Sequence, residues 1–109
     1  ATGFQVGVFT TIEAAKTYRN KYPNAIIVAD DDVYRVFYSI LTDNTVIEKM
    51  RNYLNTQKIS YFEKDITVSD KGLITALNDY ESVMKEASTK TFKSINDLIL
   101  ESYGEKIWI

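Results

Sequence analysis

Apolar residues alternate with smaller or polar ones at Phe4, Val6 and Val8, and this period of two predicts a strand over residues 4–9. Thr10 with Glu13 three residues on has the spacing of a capping box, in which the hydroxyl takes an early helix N–H and the carboxylate reaches back. A helix is therefore expected over 11–22, with Ile12, Ala15, Tyr18 and Tyr22 on one stripe. Pro23-Asn24 should end it, because the residue before proline is pushed out of the α region. A short apolar run, Ala25-Ile26-Ile27-Val28-Ala29, is of strand length. Asp30-Asp31-Asp32 reads as a turn, and Val33 to Leu41 as the returning strand of a hairpin. Thr42-Asp43-Asn44-Thr45 offers several N-caps, with Thr45 and Glu48 forming a second capping box. The helix that follows carries Val46, Ile47, Met50, Tyr53 and Leu54 as its apolar stripe. Residues 59–68 read as a fourth strand, interrupted in its alternation by Glu63, Lys64 and Asp65.

Strand, helix, strand, strand, helix, strand is the order of the split βαβ, or ferredoxin-like and RNP-like, arrangement. The expected fold class is α+β: a four-stranded antiparallel sheet with two helices on one face and the other face open. The last third of the chain has a different rhythm. Leu73, Leu77, Tyr80, Met84 and Ala87 predict an amphipathic helix over 71–87, capped near Ser69. Ser88-Thr89-Lys90-Thr91 breaks it, and Phe92, Ile95, Leu98, Ile99 and Tyr103 mark a second helix closed by Gly104. Ile107-Trp108-Ile109 reads as a short strand or a docked tail. The expected organisation is a βαββαβ domain over 1–68 and a C-terminal helical extension over 69–109.

Composition narrows the chemistry. At 45% hydrophobic and 26% charged residues the 109-residue chain can bury a core of its own. It has no cysteine, so disulfides and thiolate metal sites are excluded. It has no histidine, which removes the commonest general base, nucleophile activator and metal ligand. The net charge is -2, and no basic stripe is present to neutralise phosphates, so nucleic acid is not expected as a partner. No apolar run reaches the roughly 20 residues of a membrane span, and the start has no signal-peptide pattern. Ala1 is not an initiator methionine and a strand-like run begins almost at once, so the chain is expected to be a fragment of a larger protein.

Neither catalysis, a metal nor a cofactor is expected. Asp30-Asp31-Asp32 reads either as a solvated turn or as oxygen ligands for a hard cation, but it lacks the glycine and closing glutamate of an EF-hand loop. Gly7 alone does not make a phosphate cradle. The sheet offers more. If Phe4, Val6 and Val8 face the helices, strict alternation turns Gln5, Gly7 and Phe9 outward. With Tyr34, Val36, Tyr38 and Ile40 facing inward, Arg35, Phe37 and Ser39 join that open patch. An amide, a guanidinium, a hydroxyl and two rings around a residue without a side chain suit an elongated polar ligand such as a sugar chain. The same rings would equally pack beneath the C-terminal helices.

Gln5-Val6-Gly7-Val8-Phe9 followed by Glu13-Ala14-Ala15 resembles the opening of SPOR domains, and Tyr34-Arg35-Val36 resembles their third strand. The resemblance covers residues 4–68, and Ser39 stands where the family commonly has glycine. It implies a non-catalytic module that binds peptidoglycan glycan strands, stripped of stem peptides at division or sporulation septa, across the open sheet face. Carried over by position, Gln5, Arg35, Phe37 and Ser39 would line the groove with Phe9 at one end, and Gly7 would allow backbone approach. It also implies a place outside the cytoplasmic membrane, within a membrane-anchored or secreted envelope protein. The alternative expectation is a protein-interaction module using the sheet face or the amphipathic C-terminal helices.

Overall fold

The computed structural model describes residues 1–22, 25–67, 71–85 and 107–108. Its elements run β1 (Thr2–Phe9), α1 (Ile12–Arg19), β2 (Ile26–Asp30), β3 (Val33–Leu41), α2 (Asn44–Thr56), β4 (Phe62–Asp65), α3 (Lys71–Met84) and β5 (Ile107–Trp108). Strand order in the sheet is β4-β1-β3-β2-β5. The first four strands pair antiparallel, and β5 adds to the outer edge of β2 in parallel, with Ile27 opposite Ile107 and Val28 opposite Trp108. The protein is thus α+β, built on a four-stranded antiparallel sheet with helices and extended by a fifth strand. No helix among the described residues is long and apolar enough to cross a membrane. The expected turn at Pro23-Asn24, the boundary near Ser69, the end of the first C-terminal helix at Ala87 and the second helix with Gly104 lie outside the described residues.

Local chemistry sets the helix starts. Thr11, not Thr10, is the N-cap of α1: its backbone is extended and its Oγ1 accepts from Ala14 N at 3.2 Å. Asp43, not Thr45, caps α2, with Oδ1 accepting from Thr45 N at 2.9 Å and Val46 N at 3.2 Å. Each moves one or two residues toward the N-terminus or the C-terminus because the cap is whichever oxygen can meet the N2 and N3 amides. The β2–β3 turn is two residues, since Asp30 pairs with Val33 inside the strands. Asp31 takes a left-handed φ of 51°, a conformation aspartate tolerates better than most residues.

Helix α2 lies on one face of the sheet and buries Val46, Ile47, Met50 and Leu54. There they share a cluster with Phe4 of β1, and Arg51 binds Glu63 of β4 through Nε at 2.8 Å and Nη2 at 2.7 Å. Helix α1 covers the same face through Ala15, which clusters with Ile27 and Val36, while the Tyr18 hydroxyl donates to the Val6 carbonyl at 2.9 Å. Aromatic rings knit the two helices together: Phe9, Tyr18, Tyr22, Tyr38 and Tyr53 follow one another at centroid separations of 5.0 to 6.3 Å. Helix α3 joins through Met84, fully buried in the larger cluster, and through Glu81, whose carboxylate binds the β3–α2 corner.

Two carboxylates carry a pH dependence. The hydrogen-bonded Arg51 holds Glu63 below the usual carboxylate range. The Lys85 ammonium, with help from the Val46 and Thr45 amides, does the same for Asp43. A folded-state pKa below the unfolded one contributes stability that is present above the unfolded value and is lost as pH falls through the folded one. The urea midpoint is therefore expected to fall on acidification below about pH 4. The double variant D43N/E63Q should show a flatter acid limb; an unchanged limb would place the acid sensitivity elsewhere.

Candidate functional site

Two irregularities in one strand pair decide which side chains meet. Along β1 and β3 the register runs Phe4 to Ser39, Gln5 to Phe37, Gly7 to Val36, Val8 to Arg35 and Phe9 to Tyr34. Tyr38 drops out of the pairing on one strand and Val6 on the other, as β-bulges do. Directly opposed residues share a face, and each skipped residue reverses the alternation beyond it. Gly7 and Phe9 consequently lie on the helix side. The Phe9 ring packs against Tyr18 at a tilt of 47°, and a Cβ on Gly7 would stand only 2.8 Å from Phe9 Cε2 and 2.9 Å from Tyr18 Cε1. Gly7 is there to let α1 approach. The expectation that Gly7 and Phe9 point outward is corrected: it assumed unbroken alternation, and Val8 is the residue turned out, at 41% exposure.

Phe37 does lie on the face away from α1, beside Gly3, but it is wholly buried, and Ile26, opposite it on β2, is buried with it. Ser39 is buried opposite Phe4, on the side of α2. Neither side chain is available to a ligand in this structure, and the expectation of Phe37 and Ser39 on an open patch is corrected accordingly. The face is closed over Phe37 and Ile26 and open toward the β4 edge and the β2–β3 turn.

Gln5 and Arg35 are brought together as expected of their strands. Arg35 Nη1 donates to Gln5 Oε1 at 2.9 Å and Arg35 Nε to Asp30 Oδ2 at 2.8 Å, so an amide, a guanidinium and a carboxylate form one chain across β1, β3 and β2. The Arg35 side chain is half-buried, and described residues engage two of its five N–H groups. Beside this chain the β1–β4 register sets Phe62 opposite Gln5, on the same face. Phe62 is the most exposed large apolar residue among the described residues, at 62%.

Sequence reasoning missed Phe62. Its strand is cut by three charged residues, and the ring matters only once the pairing with β1 puts it next to Gln5. Asp30, expected in the turn, ends β2 and accepts a hydrogen bond from Arg35. The candidate site is therefore the corner formed by Phe62, Gln5, Val8, Arg35 and Asp30: an exposed ring, an apolar side chain and a row of hydrogen-bonding groups held by one another. Comparison with protein-family models, with curated proteins and with solved structures finds no match to the chain.

Proposed function

We propose that this chain is a non-catalytic glycan-binding module with a ferredoxin-like βαββαβ core, of the kind the SPOR resemblance implies. In this reading it acts in the extracytoplasmic envelope as part of a larger protein and directs that protein to cell-wall glycan at division or sporulation sites. The supporting observation is the Phe62 ring, exposed one strand away from the hydrogen-bonded Gln5–Arg35–Asp30 chain. A sugar ring has an apolar C–H face that stacks on an aromatic side chain and a rim of hydroxyls and amides that hydrogen-bond to planar polar groups. Phe62 supplies the first, and the Arg35 N–H groups that no described residue engages supply the second. Because Arg35 is held by Gln5 and Asp30, its donors are presented in a fixed direction, which lowers the ordering cost of binding. Phe37, Ser39, Gly7 and Phe9 act in this reading through the fold alone.

Purified peptidoglycan sacculi provide the test, before and after an amidase has removed the stem peptides. The wild-type chain is expected to co-sediment with sacculi, and more so after amidase treatment. Arg35→Ala and Phe62→Ala should each weaken this by about tenfold or more, the equivalent of losing one aromatic or charge-assisted contact. Phe62→Ala should leave stability within about 0.5 kcal/mol, since the ring is mostly in solvent. If Gln5→Ala, Arg35→Ala and Phe62→Ala all bind sacculi as the wild type does, the corner is not the glycan seat.

A further inference from the structure

Arg35 reaches the open corner with its charge already answered. Asp30 Oδ2 lies 2.8 Å from Arg35 Nε, and the carboxylate is itself 43% exposed, so an arriving ligand meets both charges of the pair. Asp31 and Asp32 follow in the exposed turn. The charged residue that shares this face on the other side is Lys64, which pairs with Gly3 two residues before Gln5 on β1. A bare guanidinium favours carboxylate or phosphate through paired, charge-assisted bonds. A guanidinium in contact with a carboxylate keeps its donor directions but loses much of that preference, and the carboxylate repels a second anion. The remaining Arg35 N–H groups are then best matched by neutral acceptors, the hydroxyl and amide oxygens of sugars.

We infer that Asp30 is a specificity-determining residue: the Arg35 donors seat an uncharged, hydroxyl- and amide-bearing sugar unit, and Asp30 disfavours a carboxylate or phosphate placed against the guanidinium itself, so that in a strand of alternating neutral and acidic sugars the neutral ones occupy the corner. The inference rests on the glycan reading above and sharpens it, by assigning the contact to the neutral units of a wall strand rather than to its acidic groups. Asp30→Asn isolates the effect, because the amide keeps an oxygen for Arg35 Nε while the charge is removed. Asp31→Asn removes the same charge one residue away without touching the Arg35 pair, and asparagine tolerates the left-handed φ at that position.

Isothermal titration of the full chain with the neutral hexamer of N-acetylglucosamine and with hexagalacturonate separates the possibilities. The wild type is expected to bind the neutral hexamer at least about tenfold more tightly than the acidic one. Asp30→Asn should gain about tenfold or more toward hexagalacturonate, a gain that fades at about 0.5 M salt, and should change by less than about threefold toward the neutral hexamer. Asp31→Asn should stay within about threefold of the wild type for both. A wild type that prefers hexagalacturonate, or an Asp30→Asn ratio equal to the wild type's, overturns the role of Asp30. Binding to sacculi without binding to the neutral hexamer overturns the assignment to uncharged units and leaves the glycan reading in place. Failure to bind sacculi and both hexamers removes the glycan reading and this inference together.

Discussion

Phe37→Ala is expected to destabilise the protein by about 3–5 kcal/mol, the range for emptying a buried phenylalanine site. The ring has no solvent exposure. It sits against Gly3, where an added Cβ would come within 2.5 Å of ring atom Cε1, so the backbone of β1 has been brought in to meet it. It is opposed by Gln5 on one side and Ile26 on the other, so the hole would open in the middle of the sheet. For a domain of this size the loss corresponds to a melting-temperature drop of more than about 10 °C. Urea unfolding followed by far-ultraviolet circular dichroism measures it, and Phe37→Leu should recover much of the loss by refilling the volume. The same variant tests the placement of the face. A Phe37→Ala protein that keeps its stability but loses sacculus binding would mean that the ring meets the ligand, and the geometry of the corner would have to be redrawn.

Glu81→Ala is the second large effect, expected at about 2–3 kcal/mol. The Glu81 side chain comes from α3 yet is 2% exposed against the β3–α2 corner. Its Oε1 accepts from Thr42 N at 2.7 Å and Asp43 N at 2.9 Å, and its Oε2 from Thr42 Oγ1 at 2.6 Å. These amides sit at the start of α2, where no intrahelical carbonyl is available to them, and the helix dipole favours a negative charge there. Lys49 Nζ closes the arrangement from the other side by donating to the carbonyls of Met84 and Lys85. Alanine leaves the two amides and the hydroxyl without their acceptor. Glu81→Gln keeps Oε1 for both amides and can turn its NH₂ toward Thr42 Oγ1, so it should lose only about 1 kcal/mol. Amide hydrogen exchange at Thr42 and Asp43 gives a local reading, with protection falling in the alanine variant and largely kept in the glutamine one. Equal stability of Glu81→Ala and the wild type would show that α3 is held by Met84 and not by this carboxylate.

The glutamate also bears on how the chain is organised. A protein ending at residue 68 would lose Glu81, Met84 and Lys85 at once, and with them three contacts to α2 and its approach. Periodicity marked Met84 as part of an apolar stripe but carried no sign of Glu81, which in sequence is one more charge on a helix. Only the packing of α3 against the end of β3 turns it into a cap for another helix.

Much of the fold was legible because its signals are local. Of the apolar stripe expected for α2, the structure buries Val46, Ile47, Met50 and Leu54, and Tyr53 packs half-buried against the same cluster. The hairpin of β2 and β3 follows from two apolar runs around three aspartates, and capping residues locate the starts of both early helices to within a residue or two, while α1 stops at Arg19, short of the expected Tyr22. The site was half legible. Gln5 and Arg35 meet, as alternate positions on neighbouring strands can. Gly7, Phe9, Phe37 and Ser39 do not join them, since a rule of strict alternation cannot register that Val6 and Tyr38 fall out of the ladder. Tyr38, the residue skipped on β3, packs instead beside the rings of Tyr22 and Tyr53, contacts between residues far apart in the chain.

Among the described residues, the amino-acid order alone determined where helices and strands start, because periodicity, caps and turn residues act over a few positions through steric and hydrogen-bonding preferences. It also determined that histidine and cysteine chemistry is closed to this chain. Tertiary structure decided which face each side chain occupies, which ring stays in solvent and which carboxylate meets which cation. Those outcomes depend on register, and a shift of one residue sends every side chain beyond it to the opposite side of the sheet. So Phe37 went into the core, Phe62 into water, and Asp30 onto Arg35.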